Sequence, residues 1–167
     1  RMPLGLVHRV KNYCKYKGYQ FECDFDIEPV DFTMEDAHDL IEALEMPFEV
    51  RDYQAQAFVH AVQKQRSILV SPTGSGKSAI IYLLMRLFEQ LERNVLMIVP
   101  TVNLVSQMKQ DFIDYSPNFA PLDVQEVYAG KTKEVQSPIM LSTWQSLQNL
   151  EKDWFKQFDT VVIDETH

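Results

Sequence analysis

The chain has 167 residues, of which 46% are hydrophobic and 24% are charged, a composition that supports one buried core with a small appendage. It holds no run of about 18 apolar residues, so we expect no membrane-spanning segment. The net charge of -8 argues against a general nucleic-acid-coating protein, but the charge is unevenly placed. Residues 1–20 carry only basic charges, and residues 21–50 carry only acidic ones.

The cysteine content gives little sign of special chemistry. Cys14 and Cys23 are the only cysteines, which are too few for a tetrahedral zinc site made by two cysteine pairs. No secretory signal is apparent either. We therefore expect a reduced, intracellular setting in the cytoplasm, with both thiols acting as packing residues.

The first predicted element is a helix over residues 4–16 whose apolar residues share one face. Its basic residues Arg9, Lys11 and Lys15 lie largely on other faces. Two interpretations stay open here: these side chains contact nucleic-acid phosphates, or they form a solvated face. Gly18 ends the helix, and the alternating residues that follow it, 19–25, predict a half-buried strand.

Two further helices are predicted before the centre of the chain. Thr33 and Asp36 form the start signal of an acidic helix that Pro47 ends, and we interpret it as a linker with a solvated acidic face. The next helix is predicted over residues 51–64, with Gln54 in its first turn. A glutamine amide can donate to and accept from adenine at once, although an exposed glutamine on a helix surface is the commoner case.

Residues 71–78 are the most informative stretch of the chain. They follow an apolar run at 67–70, predicted to be a strand, and they lead into an apolar helix predicted from 77 to about 91. In this setting Gly74 and Gly76 can take positive φ and turn backbone N–H groups toward an anion at the helix N-terminus.

The side chains of this stretch suit a polyphosphate. Lys77 supplies a positive charge for the β- and γ-phosphates, and the hydroxyl of Ser78 can bind Mg²⁺. One position departs from the G-x-x-x-x-G-K-[ST] pattern, because Ser71 stands in place of the first glycine. The alternative is a plain turn between a buried strand and a buried helix, with Lys77 solvated. We predict a nucleotide-binding loop.

The rest of the chain alternates between strands and helices. Strands are predicted at 94–99, 124–128, 139–141 and 159–163. This alternation specifies an α/β fold with a mostly parallel sheet flanked by helices. Thr101 and Thr143 follow two of the strands and can cap the helices that come next. Thr101, after Pro100 at the carboxyl end of its strand, lies at the sheet edge where such folds keep their ligand loops.

Two carboxylates directly follow the last predicted strand. Asp164 can hold Mg²⁺, and Glu165 can orient and deprotonate an attacking water. An acidic loop after a buried strand is the simpler alternative. The phosphate-binding loop upstream favours a nucleoside triphosphatase.

These features together resemble the superfamily 2 helicases. Five motifs match that superfamily in order and spacing over about residues 51–167. They are Arg51-Asp52-Tyr53-Gln54, residues 71–78, residues 99–107, Ser142-Thr143-Trp144-Gln145 and Asp164-Glu165-Thr166-His167. A finer pattern over nearly the whole chain is similar to the phage helicases that act in recombination and fork regression.

The resemblance implies a RecA-like P-loop domain at 47–167, preceded at 1–46 by a linker and the end of a small α+β accessory domain that grips DNA. It implies ATP and Mg²⁺ as cofactors. The implied nucleotide-binding residues are Gln54, Arg51, Thr73, Gly74, Ser75, Gly76, Lys77 and Ser78. The implied catalytic residues are Lys77, Asp164 and Glu165, with Ser78 and Asp164 at the metal.

The resemblance also implies contacts with DNA, single-stranded or branched. The residues implied to lie along the DNA strand are Thr101, Gln107, Thr143 and Trp144. The basic residues predicted to contact DNA as well are Arg9, Lys11 and Lys15. A place for Trp144 in the core is an equal alternative. His167 would couple the ATP site to the nucleic-acid side.

Family members carry a second RecA-like domain with an arginine finger, which this chain lacks. We therefore expect the chain alone to bind nucleotide, with negligible hydrolysis and no unwinding. The implied fold also places a later strand between the strand of Asp164 and that of the phosphate-binding loop. We therefore expect unpaired sheet edges here and a less stable, aggregation-prone chain.

The expected activity of the parent protein is that of an ATP-dependent DNA helicase or translocase acting on branched DNA in recombination, repair or fork processing. If the protein is phage-encoded, it would act in the host cytoplasm. Two alternatives stay open, namely a duplex-DNA translocase of restriction or remodelling type and a nucleotide-gated binding module without motor action.

Overall fold

The computed structural model describes residues 7–22, 30–128 and 130–164. Its elements in chain order are α1 (Val7–Lys17), α2 (Met34–Ala43), α3 (Asp52–Lys64), α4 (Lys77–Gln90), β1 (Val95–Val99), α5 (Val102–Asp114), β2 (Val124–Val127), β3 (Ile139–Thr143), α6 (Trp144–Leu147), a 3₁₀ helix (Lys152–Gln157) and β4 (Thr160–Ile163). No helix in these ranges is long and apolar enough to cross a membrane.

The four strands form one parallel sheet in the order β2-β3-β1-β4. β1 lies inside the sheet, pairing Met97 with Leu141 of β3 on one side and with Val162 of β4 on the other. Because all strands run the same way, their carboxyl ends meet at one edge. The α/β fold with a parallel sheet flanked by helices is confirmed.

The two faces of the sheet are covered by separate hydrophobic clusters. Alternate residues of β1 divide between them, with Val95, Met97 and Val99 in the larger cluster and Leu96 in the smaller one. Helices α2 to α5 contribute to the larger cluster. Leu147 and the aromatic residues around the 3₁₀ helix cover the other face. A strand buried on both faces reads as a continuous apolar run, which is what β1 shows.

Local signals in the sequence set the helix starts. Thr33 caps α2 and forms a reciprocal capping box with Asp36, as predicted. Thr101 caps α5, where its hydroxyl accepts a hydrogen bond from the backbone N–H of Leu104 at 3.3 Å. Helix α4 is buried over residues 79–88, where it packs against α3 and α5 and its apolar residues join the larger cluster.

The strand predicted at 67–70 is wrong for the residues that the structure describes, since these four residues pair with no strand there. Ile68 is 84% exposed and Val70 is 95% exposed. β4 is the edge strand of the described sheet, and its Val161 and Ile163 are about half exposed. An apolar run forms a strand only beside a partner strand, so residues 67–70 stay irregular, while β4 is an unpaired, partly apolar sheet edge of the kind that we expected.

The N-terminal helix α1 is confirmed and ends at Gly18, which has a φ of 70°. The strand predicted at 19–25 is not formed in its first four residues, which are irregular, and its other residues lie outside the described ranges, as does Cys23. The tyrosines of this segment are exposed, and no described residue of α1 joins either core cluster. Cys14 is partly exposed on this helix rather than packed in a core.

Candidate functional site

The phosphate-binding loop has the backbone that its glycines predict. Gly74 and Gly76 have φ of 77° and 76°, and α4 begins directly after them at Lys77. The first turn of α4 holds no acidic residue. The backbone N–H groups at the start of α4 and the positive end of its helix dipole therefore favour an anion beside the loop.

Ser71 fits the position where the pattern has its first glycine because that position does not need glycine here. Among the described residues, Ser71 is not one of those with a positive φ. Its hydroxyl pairs with the hydroxyl of Ser75 across the loop. The backbone N–H of Ser75 also donates to the carbonyl of Pro72 at 3.3 Å, so the loop is closed on itself.

Gln54 is buried against this loop, so the alternative that placed it on an exposed helix surface is wrong. Only 5% of the residue is exposed. Its Nε2 donates to the carbonyls of Ser75 at 3.0 Å and Gly76 at 3.3 Å, while its Oε1 accepts from the backbone N–H of Arg51 at 2.9 Å. A Cβ at Gly76 would lie 2.3 Å from Nε2. A side chain at 76 would therefore displace the Gln54 amide, and the positive φ is what favours glycine at this position.

Tyr53 is a second contact to the loop, and the sequence reasoning missed it. Its hydroxyl donates to the carbonyl of Ser75 at 2.6 Å, and the Arg51 guanidinium donates to that hydroxyl at 3.1 Å. Arg51 and Tyr53 line a cleft of about 660 Å³ together with residues 71–75 of the loop. The signal available in the sequence was the position of Tyr53, which is beside Gln54 at the same helix start.

Ser78 has an unpredicted partner from a distant part of the chain. Its Oγ lies 2.9 Å from the hydroxyl of Tyr115, the residue that ends α5. The Tyr115 ring packs edge-on against Phe48 at 4.8 Å and Tyr82 at 5.5 Å. Lys77, beside Ser78, is half-buried. No sequence pattern signals this contact, because the two residues are 37 positions apart.

Asp164 lies where β4 ends at the carboxyl edge of the sheet. Its backbone N–H donates to the carbonyl of Ile98 at 2.9 Å, which continues the pairing of β4 with β1. Glu165 and His167 lie outside the described residues. The oxygen donors of Ser78 and Asp164 suit Mg²⁺, which commonly takes one or two protein ligands beside substrate phosphates. In the described ranges no group of three or more His, Cys, Asp or Glu could hold a metal.

A second cleft, of about 470 Å³, opens where β1 and β3 end. Thr101 and Thr143 both line it, so the structure brings these two predicted residues together. Thr143 is 2% exposed, and its hydroxyl pairs with that of Ser146 at 3.0 Å. Gln145 and Ser146 from the start of α6 add an amide and a hydroxyl. These four residues supply hydrogen-bonding groups that carry no charge.

The other predicted nucleic-acid residues lie outside this cleft. Gln107 is exposed on α5, and neither it nor Trp144 is among the residues that line the cleft. Trp144 is 55% exposed, so the alternative that placed it in the core is wrong. Arg9, Lys11 and Lys15 are exposed on α1, apart from both clefts.

A parallel sheet with a phosphate-binding loop at a helix start and an aspartate at a strand end defines a RecA-like P-loop domain. Residues 47–167 match the family described as the res subunit of type III restriction enzymes, and the chain belongs to that family. Its relatives identify the group more narrowly. The resemblance to superfamily 2 helicases is confirmed. The predicted association with helicases, ATP binding and DNA binding is also confirmed by the relatives described below.

The chain is similar to the ATP-dependent DNA helicase uvsW of Enterobacteria phage T4, with 33% identity over 177 residues that cover 99% of the chain and 35% of the relative. It is 27% identical to the DNA 3'-5' translocase XPB2 of Sulfurisphaera tokodaii, over 93% of the chain and 32% of the relative. The crystal structure of the UvsW helicase from bacteriophage T4 matches with a TM-score of 0.88 and 32% identity, covering 99% of this chain and 62% of that one. The chain therefore spans about a third of the length of these two curated relatives.

Proposed function

We propose that residues 47–167 are the first RecA-like motor domain of an ATP-dependent DNA helicase that acts on branched DNA. Residues 1–46 would be a linker and the end of an accessory DNA-binding domain. The observation that carries the proposal is the phosphate-binding loop, with Gly74 and Gly76 at positive φ before the free N-terminus of α4. The printed description of uvsW as an ATP-dependent DNA helicase supports the substrate and the reaction.

ATP would bind with its phosphates on the loop and its base toward α3. Lys77 and the first-turn N–H groups of α4 would hold the phosphates, with Thr73, Gly74, Ser75 and Gly76 forming the cradle. Arg51 and Gln54 would recognise adenine. Both ends of the Gln54 amide already bond to the protein, so adenine recognition requires that Gln54 exchange at least one of these bonds.

Ser78 and Asp164 would hold Mg²⁺, which supplies positive charge at the phosphates when bound. Glu165 would orient the attacking water and accept its proton, with Lys77 stabilising the transferred phosphoryl group. His167 would connect this site to the nucleic-acid side. The arginine finger would come from a second RecA-like domain, the partner with which this domain closes.

DNA would bind across the carboxyl edge of the sheet. Thr101 and Thr143 would contact the sugar-phosphate backbone in the 470 Å³ cleft that they line. Gln107 and Trp144 would extend the contact outward, and Trp144 has the exposed ring that stacking on a base needs. The exposed Arg9, Lys11 and Lys15 of α1 would contribute phosphate contacts from the accessory part.

The test is the ATPase activity of the full-length protein with and without forked DNA. We expect turnover that DNA stimulates and that Glu165→Gln abolishes, while the nucleotide still binds. The matched control is Glu151→Gln, which makes the same change at an exposed acid ahead of the 3₁₀ helix. Nucleotide binding without turnover in the wild-type protein would contradict the motor and favour a nucleotide-gated binding module.

A duplex-DNA translocase is the second candidate, and the family description as the res subunit of type III restriction enzymes favours it. Both candidates predict DNA-stimulated ATPase activity, so that assay does not separate them. A strand-separation assay on forked DNA distinguishes the helicase from the duplex-DNA translocase. Translocation along duplex without release of a strand would assign the restriction or remodelling type.

A further inference from the structure

The cleft at the ends of β1 and β3 has one charged residue in its lining, Lys133. This lysine comes from the loop between β2 and β3 and was not among the residues that the sequence motifs single out. Apart from it, the lining consists of neutral residues, among them the hydroxyls of Thr101 and Thr143. The cleft also receives the start of α5, whose first turn carries no acidic residue. One positive charge thus faces a set of neutral donors, which is the chemistry that a phosphodiester requires.

The β2–β3 loop is held in place around Lys133. The indole Nε1 of Trp154 donates to the backbone carbonyl of Lys133 at 2.9 Å. The Trp154 ring in turn packs against Phe155 and Phe158, each with ring centroids 5.1 Å away. Two residues further along, Val135 packs on the same hydrophobic cluster. The lysine is therefore carried by a backbone that the core fixes, so its charge stays at the cleft.

Lys133 differs from its neighbour Lys131 in its ion pairing. Lys131 lies 3.6 Å from Glu126 and stacks over the Tyr128 ring at 5.3 Å. Among the described residues Lys133 forms no ion pair. A cation left unneutralised at a neutral cleft gains the most from an incoming phosphate, because no existing pair has to be broken.

We propose that Lys133 binds a backbone phosphate of the nucleic-acid strand that crosses this cleft, and that Trp154 is the positioning residue that holds it there. The proposal rests on the proposed function, since it assigns a further contact to the same strand path. The contact is to phosphate and not to a base, so it is independent of nucleotide sequence. A nucleoside triphosphate is the other phosphate source, and the test separates the two.

The test measures binding of full-length protein to two fluorescent single-stranded oligonucleotides, one of mixed sequence and one homopolymer, over a series of salt concentrations. Lys133→Ala should weaken binding about threefold to tenfold on both strands and reduce the salt slope by about 0.7. The control Lys131→Ala, in the same loop, should stay within about twofold of wild type. The affinity for ATP should be unchanged in both variants.

The role of Trp154 is tested by a double-mutant cycle with Trp154→Phe, which removes the N–H donor and keeps most of the ring. Alone it should weaken oligonucleotide binding and lower the salt slope, and in the Lys133→Ala background it should add no further loss. An equal loss in both backgrounds would assign Trp154 to general structure only and overturn its part in the proposal.

Three outcomes would overturn the inference about Lys133. If wild type binds DNA and Lys133→Ala matches Lys131→Ala in affinity and salt slope, the strand does not contact Lys133. If Lys133→Ala weakens ATP binding and leaves DNA binding intact, the phosphate belongs to the nucleotide. If wild type binds ATP but no DNA, the proposed function itself fails, and the assignment of Lys133 fails with it.

Discussion

Replacing Arg86 with alanine should destabilise the domain far more than a typical surface substitution, because its guanidinium lies inside the core. The residue is 3% exposed. Its Nε donates to the Tyr82 hydroxyl at 2.9 Å, and its Nη2 donates to the Ser116 hydroxyl at 2.6 Å and to the Ala120 carbonyl at 2.7 Å. These hydrogen bonds connect the middle of α4 to the segment that follows α5.

The expected magnitude follows from what each partner loses. The hydroxyls of Tyr82 and Ser116 also bond to each other, so both keep a partner when Arg86 is removed. No other donor among the described residues bonds to the carbonyl of Ala120, and an unsatisfied acceptor costs about 1–3 kcal/mol. The guanidinium carbon also lies over the rings of Tyr82 and Phe119, 5.3 and 5.4 Å from their centroids, and losing these contacts adds about 2 kcal/mol.

These contributions sum to a loss of about 3–5 kcal/mol in the free energy of unfolding, comparable to the loss when a buried charged pair is broken. The ion pair with Glu89 adds little, because that side chain is 35% exposed and water screens it. Arg86→Met also loses the guanidinium, but its thioether can contact the same two rings, so the loss should fall toward the cost of the unsatisfied acceptor, about 1–3 kcal/mol.

Urea unfolding followed by circular dichroism measures these changes. The control is Arg93→Ala, because Arg93 stacks on an aromatic ring in the same way, 5.9 Å from the Phe88 ring, but is exposed. We expect this control to change the unfolding free energy by less than about 1 kcal/mol. If Arg86→Ala and Arg93→Ala agree within that range, the buried guanidinium does not hold this part of the core.

Three further predictions use single contacts. Tyr115→Phe keeps the ring but removes the hydroxyl that pairs with Ser78. Because the Ser78 hydroxyl is then free for Mg²⁺, nucleotide binding in the presence of Mg²⁺ should strengthen a few-fold, with little change in stability. Unchanged or weaker binding in a calorimetric titration would refute this prediction. Burial, together with the nearby charge of Asp114, raises the pKa of Asp111. The wild-type protein therefore loses stability as the pH rises through that raised pKa. Asp111→Asn should raise Tm at pH 7, and this gain should shrink as the pH falls toward about 4. Hydrogen bonds from the Thr33 backbone and hydroxyl lower the pKa of Asp36, so this cap stabilises α2 above the ordinary pKa and is lost as pH falls through the lowered one. Thr33→Ala should raise the pKa of Asp36 part of the way, and an unchanged pKa in an NMR titration would show that the hydroxyl has no effect.

Much of the fold was predictable because its causes are local. The periodicity of α4, the apolar run of β1 and the caps at Thr33 and Thr101 each depend on residues only a few positions apart. The strand predicted at 67–70 failed for the opposite reason. β-forming residues specify a strand only when a neighbouring strand completes the hydrogen-bonding ladder, and the described sheet offers none to this segment.

The phosphate-binding loop could be predicted from local sequence, because glycine readily takes the positive φ that residues 74 and 76 show. The local pattern also indicated that Thr101 follows the carboxyl end of a parallel strand. The packing of the whole domain, by contrast, buries Gln54 against a loop 21 residues away and brings the Tyr115 hydroxyl to Ser78, 37 residues from it in sequence. Contacts of this kind depend on how helices pack over the sheet, and no periodicity within one segment records them.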